Sequence, residues 1–227
     1  MTTLAGACAV VTGGSSGIGL ATAQLLRARG AEVCLLAHDR ARLEAAAREV
    51  GADPLSADLG DSDDTERAAA RLVDLRPDVV VHCAGVGLQQ APDRTRPEEL
   101  RRLLEVNLVA ATTLTAAVLP AMEARGTGHL VFVTSVAGRL GVGDEPAYSA
   151  TKAALDAYAT SVAAHCRPRG IRVTTVVPGV VDTAFFTRRG APYARRFPRP
   201  VPAALVAARL VAGVEHDRTE VVVPRWL

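Results

Sequence analysis

At 227 residues, with 49% hydrophobic and 22% charged residues and a formal net charge of +2, the chain has the size and balance of a single α/β domain. So small a net charge makes no case for nucleic acid or an anionic membrane surface as a partner, and no apolar run reaches the roughly 18 residues that a bilayer crossing needs. The N-terminus, MTTLAGACAVVTGG, lacks the basic region and long apolar stretch of a secretory signal, so a soluble, cytoplasmic protein is expected.

The first apolar run, Ala7 to Val11, leads into Thr12-Gly13-Gly14-Ser15-Ser16-Gly17-Ile18-Gly19, and LATAQLLRARG then reads as a helix closed by Gly30. Strand, glycine-rich turn and helix together aim backbone N–H groups and a helix N-terminus at a phosphate. A second strand, Glu32 to Ala37, precedes the helical segment HDRARLEAAAREV. The end of that strand is where a dinucleotide-binding fold tests the adenosine ribose: a carboxylate there accepts free hydroxyls, whereas a cation suits a 2′-phosphate. Ala37 and His38 stand at the junction, with Asp39 next and Arg40 and Arg42 nearby, which tilts the reading toward the phosphorylated cofactor.

A third run ends at Ser56-Ala57-Asp58-Leu59, and GDSDDTE then starts a helix to about Leu75, its acids opposing the helix dipole rather than gathering around a metal. DVVVHCAG is the fourth strand, ending in the Ala84-Gly85 turn. Pro97 to about Arg125 reads as one long helix with Asn107 inside it. Strands alternating with helices predict a doubly wound sheet with ligands at the carboxyl ends of its strands.

The fifth strand, HLVFVTS, ends at Ser135, and the helix after Pro146, running to about His165, carries Tyr148 and Lys152 four positions apart. That spacing stacks phenol and amine on one helix face, where an ammonium is expected to draw the phenol from its free pKa of about 10 toward a working range. IRVTTVVPG is the sixth strand, ending in Pro178-Gly179 ahead of Val181 and Thr183.

Residues 184–200, AFFTRRGAPYARRFPRP, combine five arginines with three phenylalanines, a tyrosine and three prolines, the make-up of a binding loop or lid. Arg188, Arg189, Arg195, Arg196 and Arg199 are expected to be mainly solvated, and Phe185 and Phe186 to form an apolar wall. A helix over about Pro202 to Gly213 and a strand, EVVVP, complete a set of seven strands. Cys8, Cys34, Cys83 and Cys166 show neither CxxC pairing nor a ligand cluster, so neither a disulfide nor a metal site is expected.

In order and spacing these motifs resemble the short-chain dehydrogenase/reductase family over essentially the whole chain. The resemblance implies one Rossmann-type domain over residues 1–227, about seven mainly parallel strands flanked by helices on both faces, with a substrate lid at about 184–200. It implies an NAD(P)-dependent oxidoreductase that interconverts a carbonyl and a secondary alcohol without a metal, the Ala37-His38 junction favouring NADPH over NADH. Asn107, Ser135, Tyr148 and Lys152 would be its catalytic tetrad. The cofactor would be held by Gly13, Ser15, Ser16, Gly17, Ile18, Gly19, His38, Asp39, Asp58, Leu59, Ala84, Gly85, Pro178, Gly179, Val181 and Thr183, with Tyr148 and Lys152.

By the same resemblance Gln89, Leu140, Val142, Phe185, Phe186 and Tyr193 would face a partly apolar small-molecule substrate, and the protein would form a homodimer or homotetramer. One departure is that the family's Asn-Asn-Ala-Gly turn reads His82-Cys83-Ala84-Gly85, so the side-chain bonding that supports the sheet there must come from His82 or be lost. A catalytically silent nucleotide sensor or scaffold on the same fold is the alternative from another class, and a non-redox epimerase or dehydratase is a further one.

Overall fold

The strands are nearly continuous apolar runs because the sheet is buried on both faces, as parallel sheets are. In the computed structural model, which describes residues 1–194 and 196–224, β1 (Cys8–Thr12), β2 (Glu32–Ala37), β3 (Asp53–Ser56), β4 (Val79–His82), β5 (Gly128–Val133), β6 (Ile171–Pro178) and β9 (Glu220–Val223) form one sheet in the order 3-2-1-4-5-6-9. Every neighbouring pair in it is parallel. The order reverses between β1 and β4, which opens a crevice at the carboxyl ends of those strands.

Alternation along each strand feeds two cores. Ala9 and Val11 of β1 join Ala23 and Leu26 of α1 (Gly17–Ala28), Leu43 and Ala47 of α2 (Arg40–Val50), and Val206 and Leu210 of α9 (Ala203–Glu215). Val10 points the other way, to Ala68 and Leu72 of α3 (Ser62–Leu75), to Leu114 and Val118 of α5 (Ala110–Arg125), and to Leu155 and Ala159 of α7 (Pro146–Cys166). The acids of the 60–66 segment cap as expected: Asp61 accepts from the Asp64 N–H at the start of α3.

The expected long helix is continuous from Pro97 to Arg125 over 29 residues, but it is not uniform. α4 (Pro97–Leu104) passes through a π-turn at Glu105–Val109 before α5, and Asn107 sits inside that turn. By length and composition this helix is apolar enough to cross a membrane, which the count of uninterrupted apolar residues missed because Asn107 and several threonines break the run without adding charge. Here it is a packed element, with Ala110, Leu114, Val118 and Met122 buried against the sheet.

The sheet ends differ. β3 has the sequence Asp53-Pro54-Leu55-Ser56 and is largely exposed, whereas β9 presents Val221, Val222 and Val223, the first and last of them buried. The lid is gathered at its base by a second, two-stranded sheet in which β7 (Val181–Asp182) pairs with β8 (Val201–Pro202), so residues between them form a closed loop. That loop is not wholly irregular as the sequence suggested, because Phe185–Arg188 winds one turn of helix, α8.

Candidate active site

A single cleft of about 780 Å³ runs along the carboxyl edge of the sheet, from the glycine-rich turn to the lid. At one end, Gly13 and Gly17 adopt φ of +67° and +57°, and a Cβ on Gly19 would stand 2.4 Å from the Gly13 carbonyl oxygen. Only glycine allows this turn to fold back on itself. Ser16 caps α1 without a side-chain bond to its first turn, which leaves backbone N–H groups directed at the cleft. This is a cradle that fits the diphosphate of a dinucleotide.

The turn after β4 is held from both sides. Thr12 Oγ1 accepts the N–H groups of Cys83 and Ala84, each at 3.0 Å. Asn107, 1% exposed, accepts the Val86 N–H and donates to the Val86 carbonyl, both at 2.9 Å, and to Thr151 Oγ1 at 3.0 Å. His82 lies below the turn, stacked on Phe132 and bonded through Nε2 to Thr115 Oγ1 at 3.0 Å. Burial pushes its imidazole down to about 3, so it is a neutral structural group. The N–H groups of the turn are thus held by Thr12 and Asn107, while His82 ties β4 to α5 through Thr115.

At the other end, Ser135, Tyr148 and Lys152 converge. Ser135 caps α6 (Val136–Leu140), and its Oγ accepts the Ala137 N–H at 3.1 Å, which leaves the hydroxyl proton to donate. Lys152 Nζ donates to the Val133 carbonyl at 3.0 Å. Burial pushes the Tyr148 phenol up to about 12, with the neighbouring Ser135 hydroxyl opposing, and pulls the Lys152 ammonium down to about 8. The expectation that the ammonium would bring the phenol below its free value is therefore not met in the protein itself: desolvation of the phenol dominates.

The lid side of the cleft is aromatic. The Tyr148 and Phe185 rings lie 5.3 Å apart, Phe185 and Phe186 5.7 Å, and Phe186 and Tyr193 5.2 Å. Arg189 sets its guanidinium 4.5 Å from the Phe186 ring and forms a buried ion pair with Glu145. Leu140 and Phe197, 76% and 71% exposed, stand at the mouth.

A family model described as short chain dehydrogenase matches residues 7–193. The chain belongs to this family. Human L-xylulose reductase is 37% identical over 183 residues, covering 80% of this chain and 74% of that protein. A short-chain dehydrogenase from Sphingobium yanoikuyae, solved in complex with NADPH, superposes with a TM-score of 0.92 at 28% identity over 97% of this chain and 89% of that one. A metagenomic short-chain oxidoreductase solved with NADP gives 0.83 at 33% identity, over 98% of both chains. The chain is accordingly an NAD(P)-dependent oxidoreductase of the short-chain dehydrogenase family.

Against this short-chain dehydrogenase site, Ser135, Tyr148 and Lys152 line the cleft, as do Gly13, Ser15, Ser16, Gly17, Ile18, Gly19, His38, Asp58, Leu59, Ala84, Gly85, Pro178, Gly179, Val181 and Thr183. Gln89, Leu140, Val142, Phe185, Phe186 and Tyr193 line it too. Two anticipated residues are not on its wall. Asn107 lies behind the turn, where a Cβ on Gly85 would meet its Oδ1 at 3.3 Å and Lys152 Nζ at 3.4 Å. Asp39 faces α2, accepting from the backbone and side chain of Arg42.

The lid arginines divide. Arg189 is buried, whereas Arg188, Arg196 and Arg199 are exposed as expected, Arg188 donating to Ser16 Oγ, and Arg195 lies outside the described residues. Arg42, one of the arginines noted after β2, lines the cleft, and so does Glu145, which carried no local sequence signal beyond its charge. All four cysteines are free thiols. Among the described residues no group of three or more His, Cys, Asp or Glu side chains is placed to hold a metal.

Proposed function

We propose that the protein is an NADPH-dependent reductase of apolar ketones, with oxidation of the corresponding secondary alcohols as its reverse. The carrying observation is the convergence of Ser135, Tyr148 and Lys152 at one end of a cleft whose other end is a glycine-lined phosphate cradle. Support for the phosphorylated cofactor comes from His38 and Arg42 on the cleft wall after β2, where no carboxylate projects, and from the NADPH and NADP bound by the two solved relatives.

The nicotinamide, when bound, supplies the hydride to the carbonyl carbon. Ser135 donates a hydrogen bond to the carbonyl oxygen and fixes its position, keeping its own proton. Tyr148, kept protonated by burial, transfers the phenolic proton to that oxygen as negative charge builds on it. Lys152, on the same helix face, stabilises the phenolate left behind and binds the ribose hydroxyls. Asn107 holds the π-turn and the turn after β4 in place beneath them. The aromatic wall from Phe185 to Tyr193 takes the apolar body of the ketone and keeps water from the reacting carbon.

The test is fluorescence titration of the purified protein with NADPH and NADH, followed by a panel of small polar and bulky apolar ketones with the tighter cofactor. Tighter NADPH binding with turnover that rises with apolar size supports the reading. Cofactor binding without turnover of any carbonyl would instead identify a nucleotide sensor.

A further inference from the structure

The lid meets the glycine-rich turn at two points. A Cβ placed on Gly17 would lie 3.2 Å from the Thr183 methyl group, so the lid begins in contact with that turn. From the end of α8, Arg188 Nη1 reaches across the cleft and donates to Ser16 Oγ at 3.2 Å. Ser16 makes no side-chain bond within α1, so its hydroxyl accepts from Arg188 and keeps its own proton to donate.

Arg188 shares that end of the cleft with Arg42 and His38. Partial burial and the neighbouring Arg42 charge hold the Arg188 guanidinium below its ordinary value, with Asp39 acting in the opposite sense. Asp39 is engaged by Arg42 at 2.6 Å, and among the described residues no carboxylate lies within ion-pair distance of Arg188. The corner thus holds two guanidiniums and one carboxylate. Like charges gathered in one corner repel, and a phosphomonoester carrying about −1.5 to −2 at pH 7 reverses that balance and matches the guanidinium fork. Arg42 stands on the helix directly after β2, the strand end against which a dinucleotide fold sets the adenosine ribose.

We infer that Arg188, carried on the lid, joins Arg42 and Ser16 in holding the 2′-phosphate of NADPH, so that one part of the cofactor site is supplied by the substrate lid. The assignment rests on the NADPH reading above. It differs from a diphosphate contact in one respect: NADH has the diphosphate and lacks the 2′-phosphate.

The experiment measures dissociation constants of NADPH, NADH and adenosine 2′,5′-bisphosphate for the full chain and for Arg188→Ala, Arg188→Lys and Arg42→Ala. Arg188→Ala is expected to weaken NADPH and the bisphosphate by about tenfold or more, the size of one lost charge-assisted hydrogen bond, and NADH by less than about twofold. Arg188→Lys should recover part of the loss. Amide exchange across residues 184–194 should slow on adding NADPH to the parent protein and not on adding NADH. Equal weakening of NADPH and NADH in Arg188→Ala would make the residue a diphosphate contact and overturn the assignment, as would an unchanged NADPH affinity. A parent protein that binds NADH as tightly as NADPH would overturn the cofactor reading itself, a result visible before any variant is made.

Discussion

The ammonium of Lys152 is tied to the carbonyl oxygen of Val133, 3.0 Å away at the end of β5, two residues before Ser135. The strand that delivers the hydroxyl therefore also orients the lysine, and a helix turn connects the lysine to Tyr148. Lys152→Met is expected to weaken cofactor binding and turnover together, whereas Tyr148→Phe should cut kcat by about 10²–10⁴-fold with cofactor affinity nearly unchanged. Parallel titration and steady-state assays check the split. A Tyr148→Phe enzyme retaining more than a tenth of the parent rate would remove the phenol from the chemistry.

The pH dependence of reduction follows from Tyr148. A phenol held up near 12 stays protonated through neutral and mildly alkaline pH, so loss of the proton donor should not limit kcat for reduction below about pH 10. A kcat profile that falls off around pH 7 to 8 through a group absent from Tyr148→Phe would mean that the phenol titrates far lower during turnover.

The buried Glu145–Arg189 pair fastens the lid to the loop ahead of α7, with side-chain exposures of 10% and 6%. Removing one partner leaves the other charge buried, so Glu145→Ala should cost about 3–5 kcal/mol. The double variant Glu145→Gln/Arg189→Met should recover much of this loss. Urea unfolding reads both, and equal stabilities for all three proteins would sink the latch.

Two neutral histidines make the fold acid-sensitive. Burial holds His82 down to about 3 and His129 to about 4, against a free value near 6.5. The unfolded chain takes up protons that the folded one refuses, so stability is fully present above pH 6.5 and is lost as pH falls. Between pH 6.5 and 5 each contributes a loss of up to about 2 kcal/mol. Urea midpoints at pH 7 and pH 5 should differ accordingly, and His82→Gln should flatten the slope. A midpoint that does not move over this interval contradicts neutral burial.

Gly19→Ala tests the cradle. Its Cβ would press on the Gly13 carbonyl, a backbone atom that cannot swing aside. NADPH affinity should fall at least about tenfold, with secondary structure by circular dichroism preserved. Parent-like affinity would show that the turn is looser than its geometry.

What could be read from the sequence was what depends on short spacing. The glycine turn, the Tyr148–Lys152 interval and the seven alternating strands all follow from local rules, and the sheet they predict is the one that forms. What could not be read depends on which loops meet. Arg188 and Ser16 are 172 residues apart, and Glu145 and Arg189 are 44 apart, so neither contact leaves a periodic trace. Arg189 looked like any solvated lid arginine until folding supplied a buried carboxylate. The raised Tyr148 phenol was missed for a related reason: spacing reveals a neighbouring charge, but only the packed structure reveals how much water has been removed. The bonds that Asn107 makes from the π-turn likewise go to Val86 and Thr151, both distant in sequence.

The unequal ends of the sheet also limit how copies of the chain could join through strands. At β3, Pro54 offers no N–H and Asp53 brings charge to a largely exposed edge, whereas β9 is a run of valines. Any strand-to-strand association would therefore use β9, and two copies joined there about a twofold axis would consume both receptive edges. The outer margins of that doubled sheet would be the two proline-bearing strands, so growth would end at a pair and would not continue into a filament.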